Sequence, residues 1–258
     1  MRNAKFLGFR NGLSSVHTSR TLMLAELSLV MDKIAAGSPA KAYLEAIVEE
    51  NLLGKPTQTT RKRTAQRLTQ LYSLDPNCTL FRLLRHFWPA DLASRPMLAL
   101  LMATARDPLL RESMPFILAI SVGEAVNPFA IGQDLKKRHP GRFSPTTLHS
   151  TAKNLASTWT QGGYLRGKVK KTRTKPHATP IVAAFALILG YLCGWRGKLL
   201  LDSTWTRLLD RSPADLSALA IEASKQGWIN FKAAGVVVEI TFPGLLKPQE
   251  ERAAHEQD

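Results

Sequence analysis

The sequence predicts a mainly α protein: a two-lobed helical bundle with winged helix-turn-helix-like units and a small C-terminal β-hairpin. Three observations lead there. Apolar residues recur at three- and four-residue spacing along most of the chain. Polar-residue–proline pairs stand repeatedly where such runs begin, as N-caps followed by proline at the first helical position do. Only the stretch near residues 228–242 alternates in the manner of strands around a glycine turn. The chain has 258 residues, 45% of them hydrophobic, which is enough for a sizeable core. The composition divides it into an N-terminal bundle over 1–125, a C-terminal helical domain over 126–246 and a flexible tail over 247–258.

The first predicted helix runs from Ser19 to Ile34, with Leu22, Leu27, Leu29 and Val30 toward the core. Ser38-Pro39 opens the second, which carries Tyr43, Leu44, Ile47 and Val48 and ends near Leu53-Gly54. A third spans about Gln58 to Leu71, with Ala65, Leu68 and Leu71 on one side and Arg61, Lys62 and Arg63 on the other. Shorter helices follow at 79–87, 95–105 and 108–122, punctuated by Pro89, Asp107-Pro108 and Gly123.

From Asn127 the grammar changes. Asn127-Pro128 starts a helix reaching Lys137, and His139-Pro140-Gly141 makes a turn. Ser144-Pro145 caps the next helix, whose apolar stripe is Leu148, Ala152, Leu155 and Trp159 and which stops at Gly162-Gly163. A basic extended stretch from Arg166 to Lys175 follows. Ser212-Pro213 opens a similar helix ending at Gly227-Trp228, before a hairpin turning at Ala234-Gly235. That hairpin holds one Lys and one Glu, Lys232 and Glu239, and reads as a packing or protein-contact element.

Charge locates the candidate function. The formal net charge is +15. Residues 127–177 hold eleven Lys and Arg residues against a single acid, Asp134. One-signed charge this dense repels itself and suits a polyanion. Helix, turn, capped helix and basic extension is the order of a winged helix-turn-helix, in which the second helix enters the major groove. The expected partner is double-stranded DNA. Thr146, Thr147, Ser150, Lys153 and Asn154 are suited to groove contact. Arg166, Lys168, Lys170, Lys171, Arg173 and Lys175 are suited to phosphates. Arg142 joins them from the turn, and Arg61, Lys62 and Arg63 would extend the basic track. Two other readings remain open: an adaptor whose basic patch docks an acidic protein, and an RNA-binding helical protein. RNA ranks below duplex DNA because only Phe143 and Tyr164 lie near the charge.

Catalytic chemistry is not expected. There is no phosphate-binding glycine loop and no serine nucleophile elbow. The six histidines form no i,i+4 pair, so neither a metal site nor a cofactor is expected. Asp134 and Lys136 have no second acid nearby to make a nuclease centre. Two cysteines cannot make a disulfide framework and fit a reducing cytoplasm. No secretory signal is read at the N-terminus. The uncharged stretch 178–195 sits at the lower length limit for a membrane span, and a buried core helix is the favoured reading.

The N-terminal third also carries a resemblance. Arg20–Glu26 (RTLMLAE), Asn51-Leu52-Leu53-Gly54-Lys55 and the run through Thr60, Arg63, Arg67 and Leu68 resemble the BrxA family, the small A component of bacteriophage exclusion (BREX) defence systems. Asp107–Arg111 and the Ser/Thr-rich helix from Ser144 to Gly163 look similar too, so the likeness would cover about residues 10–243. It implies a non-catalytic helical protein that binds double-stranded DNA, with an N-terminal lobe similar to NusB-type bundles. Its implied partners are a methyltransferase, an ATPase and a phosphatase-like protein. The basic 166–175 segment departs from the family pattern, so its contacts rest on charge alone.

Overall fold

The computed structural model describes residues 5–235 and 237–256. Single 3-10 turns at Lys5–Leu7 and Val16–Thr18 lead into α1 (Leu24–Lys33), α2 (Ala40–Val48), α3 (Gln58–Tyr72) and α4 (Thr79–Phe87). After the turn Leu92–Ser94 come α5 (Arg95–Arg106) and α6 (Pro108–Leu118). Then follow β1 (Ala125–Val126), α7 (Pro128–Arg138), α8 (Pro145–Gln161), β2 (Leu165–Arg166) and β3 (Lys171–Arg173). The chain continues through α9 (Pro180–Leu192), a 3-10 segment Gly197–Asp202, α10 (Thr204–Arg207) and α11 (Pro213–Lys225). It closes with β4 (Asn230–Ala234), β5 (Val237–Thr241) and α12 (Pro248–His255).

One local device starts many of these helices. Asp107, Asn127, Ser144, Thr179 and Ser212 each accept a hydrogen bond from a backbone amide of the first turn, and each precedes a proline. The side chain satisfies an orphan N–H while the proline, having none, presets the helical φ. Three predicted boundaries move. The first helix begins at Leu24 because Met23 adopts a left-handed φ of 54°, and Tyr72 donates its hydroxyl proton to the Leu22 carbonyl in the irregular lead-in. The second stops at Val48, with Asn51 left-handed and the Leu52 amide reaching back to the Ala46 carbonyl at 2.9 Å. Pro39, not Ser38, occupies its cap position, and no side-chain cap forms there. Helix α6 ends at Leu118, four residues early, soon after the internal Pro115.

Two helices are buried on nearly every side. Every residue of α5 from Met97 to Arg106 and of α9 from Ile181 to Gly190 is buried, and the two pack together. Helices of this kind form the middle of a core. Around α9 lie α4, α10, α11 and α12. The resulting hydrophobic cluster runs from Leu7 to Ala254 and crosses the expected lobe boundary at 125/126 without a break. At 13 residues α9 is about 20 Å long, short of a bilayer's hydrocarbon core. No described helix is long and apolar enough to cross a membrane.

The expected flexible tail is instead docked. Glu250 in α12 is buried, accepts from Thr79 at 2.7 Å and from the Lys247 amide at 2.7 Å, and pairs with Arg82. Burial opposes its charge, but these partners outweigh burial and hold its pKa below the usual value. Arg196 fixes the far end by donating to the Ala254 carbonyl at 2.6 Å.

Two small antiparallel sheets complete the fold. In the first the order is β1-β3-β2, with Ala125 opposite Thr172 and Arg166 opposite Thr172 from the other side. In the second, β4 and β5 form a hairpin with Gly235 left-handed in its turn.

Candidate nucleic-acid interface

Helix α8 is fastened on one side and open on the other. Its first turn is closed by Ser144, whose Oγ accepts from the Thr147 amide at 3.2 Å. Ala152, Leu155, Ala156 and Trp159 are buried, and Leu148 is half-buried. Trp159 donates its indole N–H to Ser113 of α6 at 2.9 Å and meets Tyr164 edge-to-face at 4.9 Å. Thr146, His149 and Lys153 are exposed, while Thr147 and Ser150 are half-buried. No acid occurs anywhere in the helix.

The turn between α7 and α8 is braced from α6. His139 and Glu112 approach to 2.5 Å. The Arg142 guanidinium lies 4.8 Å from the Phe143 ring centroid and donates to the Leu13 carbonyl. Arg142 is thus half-buried and committed to the protein on one side.

The β2–β3 hairpin projects from the end of α8. Gly167 is needed at its turn: φ is 109°, and a Cβ would collide with the Lys170 carbonyl. Arg166, Lys168 and Lys170 are exposed, as is Lys175 beyond the hairpin. Val169, between the two tip lysines, is 86% exposed. Lys171 turns inward, donating to Thr160 at 2.9 Å and to the Gly167 carbonyl at 3.1 Å, and partial burial lowers its pKa.

Arg173 requires a correction. It was expected among the phosphate contacts, but it is only 1% exposed. Its Nε donates to the Ile117 carbonyl at 3.1 Å, and its Nη2 pairs with Asp210 at 2.7 Å. The guanidinium also lies 5.0 Å from the centroid of the buried Tyr164 ring. Arg173 therefore locks the root of the hairpin to the chain before α11 and has no face left for DNA. Asn154 is similarly committed, donating to the His17 carbonyl at 2.9 Å. In α3, Arg61 donates to the carbonyls of Lys55 at 3.2 Å and Val48 at 3.4 Å, finishing α2, whereas Lys62 and Arg63 stay exposed.

A buried polar network missed in the sequence holds α8 from behind. The Asp107 carboxylate accepts from Ser15 Oγ at 2.7 Å, the Val16 amide at 2.7 Å and the Leu110 amide at 3.1 Å. His17 Nδ1 lies 3.1 Å from it, and His17 Nε2 lies 3.0 Å from Thr158 Oγ1 in α8. Burial alone would raise the Asp107 pKa, but His17 and the hydrogen bonds outweigh it and bring it to about 2. Carboxylate, imidazole and hydroxyl here superficially match a nucleophilic triad. All three residues are at most 1% exposed, however, so no substrate reaches them. The only local signal was Asp107 ahead of Pro108 at a helix start; its partners Ser15 and Val16 lie some 90 residues away.

The described residues contain no group of three His, Cys, Asp or Glu side chains able to hold a metal ion. Fold and surface together define a mainly helical protein with an exposed basic hairpin beside a capped, acid-free helix. The BrxA family model matches residues 14–119, so this segment of the chain is similar to the BrxA family. The matched segment ends within the turn after α6, so α8 and the hairpin lie beyond it, and it is shorter than the 10–243 span of the resemblance. No curated protein matches the chain.

Proposed function

We propose that the protein is a non-catalytic, cytoplasmic, double-stranded DNA-binding accessory component of a BREX system. In this reading α6, β1, α7, α8 and the β2–β3 hairpin form a winged helix-turn-helix unit. The observation that carries the reading is the exposed Arg166, Lys168 and Lys170 on a hairpin beside α8, whose outer face has no acid. Helix α8 presents Thr146, Thr147, Ser150 and Lys153 to the major groove. The hairpin lies along phosphates, where its cations release condensed counterions. Lys175 adds to that track, Lys171 contributes its charge from a half-buried position, and Lys62 and Arg63 lengthen the track on α3. Arg61, Arg142 and Asn154 act as supports. BREX methyltransferase, ATPase and phosphatase-like proteins are proposed partners by family.

Duplex is favoured over single-stranded RNA by the state of Tyr164 and Phe143, the two aromatics flanking α8; the one open aromatic nearby among the described residues, Phe129, stands at the start of α7. Tyr164 is buried, and one face of Phe143 carries Arg142, which leaves neither as an open stacking platform. Fluorescence anisotropy of a labelled duplex, with unlabelled RNA as competitor, tests the choice. Micromolar or tighter duplex binding that RNA displaces poorly is expected. Equal displacement by RNA and duplex contradicts it.

A further inference from the structure

A groove of about 380 Å³ opens between α7 and α8. Its floor exists because Gly132 lets the helices touch: a Cβ there would sit 3.3 Å from the Ala152 Cβ. Phe129, Phe143 and Leu148 make apolar walls. Phe129 is 62% exposed, a large aromatic left open to water. The charged residues lining the groove are both lysines, Lys136 and Lys153. The single acid of α7, Asp134, is drawn away by Arg138 at 2.9 Å. The volume lies in the range of small-molecule sites, which pair apolar walls with a few polar anchors.

We propose that this groove binds an organic anion with an apolar body, such as an aromatic carboxylate or sulfonate. The hydrocarbon packs among Phe129, Phe143 and Leu148, and the anionic head is held by Lys136 and Lys153. Charge complementarity selects the sign of the ligand, and the hydrocarbon walls select a compact apolar body over a phosphate backbone. Lys153 also belongs to the open face of α8, so the bound anion competes with duplex DNA. That second half rests on the proposed DNA-binding function; the first does not.

The probe is 8-anilinonaphthalene-1-sulfonate, titrated into the full chain by fluorescence and by thermal denaturation. Saturable binding and a raised Tm are expected. F129A, at an exposed site, should weaken the probe about tenfold, the scale of one lost apolar contact. K136A/K153A should weaken it by a similar factor, about tenfold, through loss of charge-assisted contacts. Unsaturable binding, or affinity unchanged in both variants, overturns the site. A second arm adds saturating probe to a protein–duplex complex. Release of the duplex is expected, and a duplex that stays bound overturns the competition. The first arm contains no DNA, so failure of the site and failure of the DNA reading are distinguishable.

Discussion

The molecule builds the same local frame twice and charges it differently. Ser144-Pro145 and Ser212-Pro213 open α8 and α11 with the same side-chain cap, and each helix leads through a left-handed glycine into a hairpin. Helix α8 has no acid, and its hairpin exposes Arg166, Lys168 and Lys170. Helix α11 carries Asp215 and Glu222, the latter 3.6 Å from Lys225. In the second hairpin Lys232 stands directly across from Glu239, a pairing that cancels its charge. Backbone grammar therefore sets the shape of both units, and side-chain charge alone separates a surface suited to polyanions from a neutral one.

The largest expected effect comes from erasing that difference. R166A/K168A/K170A should lower duplex affinity about a hundredfold at low salt, given three lost phosphate contacts. Anisotropy titration checks it, with far-UV circular dichroism unchanged. Next is the buried lock under the first hairpin. R173A leaves Asp210 without its partner and should cost about 3 kcal/mol in urea denaturation. D210N should weaken DNA binding while leaving its salt dependence intact, because no phosphate contact is removed.

The Asp107 network gives a pH test. Its folded pKa of about 2 lies below the unfolded value, so its stabilisation is full above about pH 4 and disappears as pH falls toward 2. D107N should therefore lose about 2 kcal/mol at neutral pH. The gap between the variant and the wild type should close between about pH 4 and 2. Smallest is K232A in the second hairpin: duplex affinity should change less than about twofold, and stability by about 0.5 kcal/mol. A large loss of DNA binding there would break the contrast between the hairpins.

What was legible in the sequence was local. Asn127-Pro128, Ser144-Pro145 and Ser212-Pro213 announced their helices because cap and proline act within one turn. The apolar stripe of α8 was legible for the same reason. Arg173 was misread because its fate is set by Asp210, 37 positions on, and by the Ile117 carbonyl. Asn154 looked free because His17, its acceptor, is 137 positions away. The tail reads as polar, yet Glu250 is captured by Thr79 and Arg82 of α4. A charge run reports where cations are dense, whereas long-range partners decide which of them face water.

The account's central claim is that exposed cations of the first unit hold duplex DNA by its phosphates. The most direct test is the slope of log K against log salt for the full chain on a labelled duplex. With about five phosphate contacts, the slope should be about −4 to −5. Flat binding across the same salt range, or none at low salt, would contradict the claim.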